Sequence, residues 1–193
     1  VPAPGYRQRT VRKATGNLLS LLVNGVGLSL NGWVDHEWDG SAWDGESIGT
    51  FLDSYLRPTF SARGITTKVV APEAAEWNAV PTLMGPTMNN SGALGQVDII
   101  AGHQYNGELT RPLPAALAGK RVWMIEYSEG NTGKINGAIA QAERIHKTLT
   151  GNARASAWLW FIYFGGPLDL NQPGGLVRSD GTSIVPGKAF WAL

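Results

Sequence analysis

The residues of this chain that could do chemistry follow directly on short apolar runs. Ile65 to Ala71 leads into Pro72-Glu73, and Val97 to Ala101 leads across Gly102 into His103-Gln104-Tyr105. Val122-Trp123-Met124-Ile125 leads into Glu126-Tyr127, and Ser156 to Tyr163 carries Trp158, Trp160 and Tyr163. A carboxylate placed straight after a buried strand is costly to desolvate unless it has partners. Glu126 holds that position; its alternative reading is a salt bridge at the rim of a sheet. Carboxylates set among Trp, Tyr, His and Asn suit a carbohydrate site. Sugars offer apolar C–H faces that stack on rings, and hydroxyls that need fixed polar partners. Cleavage of a glycosidic bond takes two carboxyl groups, one as general acid and one as nucleophile or base. There are 8 Trp in 193 residues. Trp33, Trp38, Trp43 and Trp77 fall in stretches that read as loops, although core packing is the alternative for any one of them.

Other chemistries find no support. The chain has no Cys, which excludes disulfides, thiolate metal sites and a Cys nucleophile. His36, His103 and His146 do not have metal-ligand spacing. No G-x-G-x-x-G follows a strand, and neither a P-loop nor a G-x-S-x-G is present. No metal and no cofactor is expected. With 16 Lys+Arg against 15 Asp+Glu, the net charge of +1 gives no basic face for nucleic acid. No run reaches the roughly 18 apolar residues of a membrane span. Arg7, Arg9, Arg12 and Lys13 precede an apolar run. That run leads into a Trp-rich stretch rather than a small-residue cleavage site, so the chain reads as a mature or truncated product.

Residues 1–17 read as a basic arm and 18–193 as a single α/β domain. Leu18 to Leu30 reads as a helix turning into a strand at Gly27–Leu30. Glu46 to Leu56 reads as a helix with Ile48, Phe51, Leu52, Tyr55 and Leu56 on its buried face and Pro58 at its end. Strands are expected at Ile65–Ala71, Val97–Ala101, Arg121–Glu126 and Ser156–Tyr163. A possible short helix lies within Trp77–Gly95 and another at Pro112–Ala118. Lys134 to Leu149 is the clearest helix, with Ile135, Ile139, Ala142, Ile145 and Leu149 as its buried stripe. Leu176 to Val185, centred on Asp180-Gly181, reads as a hairpin. Apolar strands alternating with helices imply a parallel sheet covered by helices. The chain is shorter than the about 250 residues of an eight-stranded α/β barrel, so it is either an open sheet or part of a barrel.

The series from Val97 to Tyr105, then Arg121-Val122-Trp123-Met124-Ile125-Glu126-Tyr127, resembles glycoside hydrolase family 30. So do Ala71-Pro72-Glu73, the stretch from Trp43-Asp44-Gly45-Glu46 to Leu56, Ala157-Trp158-Leu159-Trp160, and Gly174-Gly175-Leu176-Val177 with Asp180-Gly181. The resemblance spans roughly residues 40–193. It implies a (β/α) TIM-barrel-type fold, here a partial or shortened (β/α)8 barrel with about five recognisable parallel strands. It also implies a secreted, retaining glycosidase acting on β-linked polysaccharide, with β-1,4-xylan the expected polymer. Glu126 matches the family nucleophile. His103 and Tyr105 match residues lining the adjacent subsite, and Trp160 matches the floor of the site. Glu73, Trp43 and Tyr127 complete the expected binding set.

Leu28-Ser29-Leu30-Asn31-Gly32-Trp33 stands where the family carries its acid/base motif. Asn31 fits as a substrate-binding residue, but Gly32 occupies the glutamate position. Glu37 is the candidate to replace it. Without that acid, the alternative is a carbohydrate-binding or weakly active remnant. The first three barrel strands have no visible counterpart. Open sheet edges of that kind invite pairing, so a homodimer is an expected outcome.

Overall fold

The computed structural model describes residues 43–165, 175–179 and 181–193. The basic arm at 1–17, the strand at Gly27–Leu30, Asn31, Glu37, Trp33, Trp38 and Asp180 lie outside the described residues.

The chain enters a helix at α1 (Gly45–Thr50). Asp44 caps it by accepting the Ser47 N–H at 2.7 Å. It continues through a π-helical turn, Phe51–Leu56, into α2 (Arg57–Arg63). Pro58 therefore does not end the helix. Proline inside a helix clashes with the carbonyl one turn back, and the wider winding just before it gives the ring room. The stop comes at Gly64, whose φ of 60° is left-handed. Ile48, Leu52 and Leu56 face the core, whereas Tyr55, expected on that face, is 63% exposed. The π turn changes the phase of the helix and carries Tyr55 outward.

β1 (Val70–Ala74), β2 (Ile99–His103), β3 (Arg121–Glu126) and β4 (Ala157–Trp158) form a parallel sheet in chain order. The first strand begins five residues later than the β-branched run predicts, so Pro72 and Glu73 lie inside it. Trp77–Gly95, read as loop with a possible short helix, holds a 3-10 turn at Trp77–Ala79, then α3 (Val80–Met88) and the start of α4 (Ser91–Gln96). The helix expected at Pro112–Ala118 is a 3-10 turn, Ala115–Leu117. One face of the sheet packs Ala71, Ile100 and Met124 with Leu52, Trp77, Val80 and Leu83 in the main core. The other face gathers Val70, Ile99 and Ala101 with Trp123 and Ile125. Gly102 is required at the crossing point: a Cβ there would lie 3.0 Å from the Trp77 ring and 3.1 Å from Val80.

α5 (Ile135–Thr150) has the predicted extent but not the predicted face. Its buried residues are Gly137, Ala138, Gln141 and Thr148, while Ile135, Ile139 and Leu149 are exposed. Close approach selects small residues: a Cβ at Gly137 would collide with the Asn131 carbonyl. The strand expected over Ser156–Tyr163 is shorter than expected, and a separate strand begins just after that range. Ala157–Trp158 joins the main sheet, and β5 (Phe164–Gly165) joins a second, three-stranded sheet with β6 (Val177–Ser179) and β7 (Ile184–Pro186). β6 and β7 are antiparallel, as the hairpin reading expects. A closing 3-10 turn, Lys188–Ala192, follows. The described strands thus form a four-stranded parallel sheet of partial α/β type and a smaller mixed sheet of three strands.

Candidate active site

Two register shifts build the site. β1 pairs Pro72 with Ala101 and then Ala74 with Gly102, so Glu73 is an extra residue in the ladder. β3 pairs Met124 with Gly102 and then Glu126 with His103, so Ile125 is extra there. Side chains alternate across a strand, and an inserted residue moves the next one to the other face. With unbroken pairing, Ile125 would stand opposite His103 and Glu126 would face the helices. The bulge instead places Glu126 beside His103, at the carboxyl ends of the strands. Glu73 holds φ at 58°, a left-handed conformation uncommon for a residue with a side chain. Such conformations persist where surrounding structure enforces them, and they concentrate at functional sites.

The result is a carboxylate–imidazole–carboxylate row. His103 Nε2 lies 3.5 Å from Glu73 Oε1, and His103 Nδ1 lies 3.8 Å from Glu126 Oε1. The Tyr105 hydroxyl donates to the same Glu126 oxygen at 3.1 Å. Exposure sorts the roles. The side chains of His103 and Glu73 are 0% and 2% exposed, whereas that of Glu126 is 22% exposed. Only Glu126 of the three reaches the open side. Burial is the largest cause pushing the Glu73 carboxyl above its ordinary 4.5; the Glu126 charge adds to the rise, and His103 opposes it. The Tyr105 hydroxyl is pushed up to about 12, chiefly by burial, so it remains a donor at neutral pH.

Aromatic rings continue from the carboxylate. Tyr105 and Tyr127 have centroids 5.8 Å apart, Tyr127 and Trp160 5.9 Å, and Trp158 and Trp160 6.0 Å. A polar network holds them. Trp158 Nε1 donates to Gln104 Oε1 at 3.1 Å, and Gln104 Nε2 donates to Thr148 Oγ1 at 2.7 Å and also to Glu108. The Tyr127 hydroxyl donates to Glu129 at 2.6 Å, and Arg144 lies 4.3 Å from the Tyr127 ring centre. Burial raises the Tyr127 hydroxyl and, at Glu108, the carboxyl.

The structure therefore brings Glu73, His103, Tyr105, Glu126, Tyr127 and Trp160 together. Glu73, His103 and Tyr127, expected to bind substrate, are buried: Glu73 and His103 stand behind Glu126, and the Tyr127 ring packs into the main core. Trp43 is not gathered with them: it packs on Phe51, centroids 5.3 Å apart, against the main core. Sequence reasoning missed Glu108, Glu129, Arg144 and Thr148. The last two follow Gln141 at helical spacing, and that polar stripe was the available signal. Glu73, His103 and Glu126 are also the one group among the described residues whose ligand-type atoms lie within 4.8 Å of one another. The imidazole turns a different nitrogen to each carboxylate, which suits a proton bridge rather than ligands converging on one ion.

Parallel strands with polar residues at their carboxyl ends are the pattern of α/β folds, TIM barrels and open sheets alike. No family model matches the chain. Its sequence is 28% identical over 137 residues to glucuronoxylanase XynC of Bacillus subtilis (strain 168), covering 66% of this chain and 30% of that protein. In structure it resembles the catalytic domain of the glycoside hydrolase family 30 xylanase C from Talaromyces cellulolyticus. The TM-score is 0.67 at 22% identity, over 80% of this chain and 36% of that one. The family 30 subfamily 8 xylanase Xyn30A of Clostridium acetobutylicum gives a TM-score of 0.63 at 26% identity, over 81% and 36%. Sequence and fold together relate this chain to glycoside hydrolase family 30. It spans about a third of the length of those relatives.

Proposed function

We propose that the chain carries the nucleophile half of a retaining glycosidase acting on β-linked polysaccharide, with β-1,4-xylan as the expected polymer. The observation that carries this reading is Glu126. It is a partly exposed carboxylate at a strand end, hydrogen-bonded by Tyr105, whose ring leads through Tyr127 to Trp158 and Trp160. A carboxylate oxygen of Glu126 forms a bond to the anomeric carbon while the bond to the leaving oxygen breaks. That oxygen keeps the electron pair and takes a proton from a carboxylic acid, for which Glu37 is the candidate. Water then gives a proton to the carboxylate that served as acid and attacks the anomeric carbon of the ester; the bond to Glu126 breaks, which releases the sugar and restores both carboxyl groups. The exposed ring of Tyr105 and the half-buried rings of Trp158 and Trp160 supply stacking faces for the sugar. The family relationship supports a polysaccharide substrate and an extracellular site of action. Among the described residues no helix is long and apolar enough to cross a membrane.

The test is reducing-sugar release from glucuronoxylan, arabinoxylan and β-1,6-glucan by the full chain and by Glu126→Gln. The reading expects release from xylan that falls at least about 10³-fold in the variant. No release from any polymer by a folded parent contradicts it.

A second reading, a binding or weakly active remnant, is favoured by one observation. Among the described residues, the carboxylate nearest Glu126 in the row, Glu73, is buried behind His103 rather than placed across an open site. Lack of an acid costs about 10²–10⁴-fold with poor leaving groups and much less with aryloxides. Fast cleavage of an aryl xyloside beside slow cleavage of xylan identifies this case.

A further inference from the structure

We propose that Glu73 and His103 hold one proton between them and so present an Nδ1–H to Oε1 of Glu126, which reserves Oε2 of Glu126 as the attacking oxygen. The inference rests on the reading of Glu126 as nucleophile. Its observations are geometric. The imidazole is fully buried between two carboxylates, 3.5 Å and 3.8 Å away. Neither ring nitrogen, nor Glu73 Oε2, has another hydrogen-bond partner among the described residues. A buried polar group without a partner is costly, so the imidazole must serve these two carboxylates. The bulge and the left-handed backbone at Glu73 exist where they turn its carboxyl toward the ring.

An imidazole with its only proton on Nε2 would turn a lone pair toward the ionised Glu126. In a buried site that contact is repulsive. A proton shared between Glu73 Oε1 and His103 Nε2 removes the conflict. Whichever of the two atoms carries it, Nδ1 keeps its own hydrogen for Glu126. Oε1 then accepts from the Tyr105 hydroxyl at 3.1 Å and faces the Nδ1–H from 3.8 Å, a gap that a small shift of Glu126 closes, and Oε2 is left for bond-making. The raised Glu73 carboxyl agrees with a proton retained there. The titratable groups that face the ring are Glu73 from β1, Glu126 from the end of β3, and Tyr105 just beyond β2, which stays protonated. From α3 and the turn before it, uncharged Val80 and Trp77 pack on the adjacent Gly102. Loss of the shared proton at high pH would withdraw the donor from Glu126. Glu73 and His103 are thus positioning residues that act through Glu126.

The test uses the full chain with 4-nitrophenyl β-xylobioside, whose aryloxide leaves with its electron pair and needs no acid. Glu73→Gln cannot ionise, and its amide can donate to Nε2. We expect it to move the alkaline limb of the kcat/KM profile upward by about one unit or more. His103→Asn keeps a donor near the Nδ1 position and is expected to retain kcat within about 10-fold. His103→Phe, with no donor, is expected to lose about 10²-fold in kcat with little change in KM. A purely structural role would lower activity without moving the limb or separating Asn from Phe. Nitrogen-15 spectra of the histidines read the tautomer without any turnover, and His103 is expected to carry a hydrogen on Nδ1. A bare Nδ1, or an unmoved alkaline limb in Glu73→Gln, overturns the proposal. An inactive parent whose His103 Nδ1 carries its hydrogen overturns the nucleophile reading instead and leaves the shared proton supported.

Discussion

The two ends of the main sheet are finished differently. Around β1 to β3, the π-helical turn, the 3-10 turn and α3 drive large apolar side chains fully inside: Leu52, Val80 and Met84 are 0% exposed, and Trp77 is 1% exposed. Beyond β3, α5 turns small and polar residues inward and leaves Ile135 and Ile139 outside at 66% and 54%. Phe161, Tyr163, Phe164 and Trp191 are exposed as well. Glu126 stands at the seam. The groups behind it, Glu73 and His103, belong to the closely packed side, while Trp158 and Trp160 follow β3 on the other side. A reactive group needs a rigid backing, and bulky ligands need an accessible face. On the proposed reading of Glu126, the two come from different regions of the chain.

Substitutions can break or sharpen that contrast. Trp77→Ala removes the largest fully buried side chain of the packed side. It should cost about 3–5 kcal/mol in urea unfolding. A loss below about 1 kcal/mol would mean that this side is not the closely packed one. Tyr105→Phe deletes one donor to Glu126. Hydrogen bonds to charged groups are worth about 1.5–3 kcal/mol, so kcat/KM should fall by about 10- to 100-fold with the fold intact. A fall of less than about twofold would detach the rings from the carboxylate.

Glu73→Gln gives a smaller effect whose sign depends on pH. Because burial holds the Glu73 carboxyl above 4.5, the folded chain binds that proton more readily than the unfolded chain. The resulting stability is present below the ordinary value and is lost as pH rises through the raised one. The variant should therefore melt higher than the parent at about pH 8, with the advantage shrinking toward about pH 4. An advantage that grows on acidification would show the opposite linkage. The smallest effect is expected on the open side. Ile139→Gln should change stability by no more than about 0.5 kcal/mol. A loss of about 2 kcal/mol or more would mean that this face is covered in solution, as pairing of two copies would cover it.

Much of the site was legible because an apolar run ending in a charged or aromatic residue marks a strand end. The apolar run from Arg121 predicts a strand ending at Glu126, as found, and the same pattern sets His103, Tyr105 and Glu126 at neighbouring strand ends. What escaped was register. Nothing in Ala71-Pro72-Glu73 or Met124-Ile125-Glu126 announces an inserted residue. Yet those bulges decide which face each carboxylate takes, and they put Glu73 behind the ring instead of in the open. The inward face of α5 escaped for a different reason. Isoleucines at helical spacing outweigh Gly137, Ala138 and Gln141 in any periodicity argument, but close approach to Asn131 selects small residues. Trp43 shows the limit of reading rings in loops as sugar platforms: its partner is Phe51 and the core.

The most direct measurement is covalent trapping at Glu126. The chain would be incubated with a 2-deoxy-2-fluoro xylobioside bearing a dinitrophenyl leaving group, digested, and its peptides weighed. The account predicts one added glycosyl group on the peptide containing Glu126, absent from Glu126→Gln. A label on another carboxylate, or hydrolysis of aryl xylosides by Glu126→Gln at the parent rate, would contradict it.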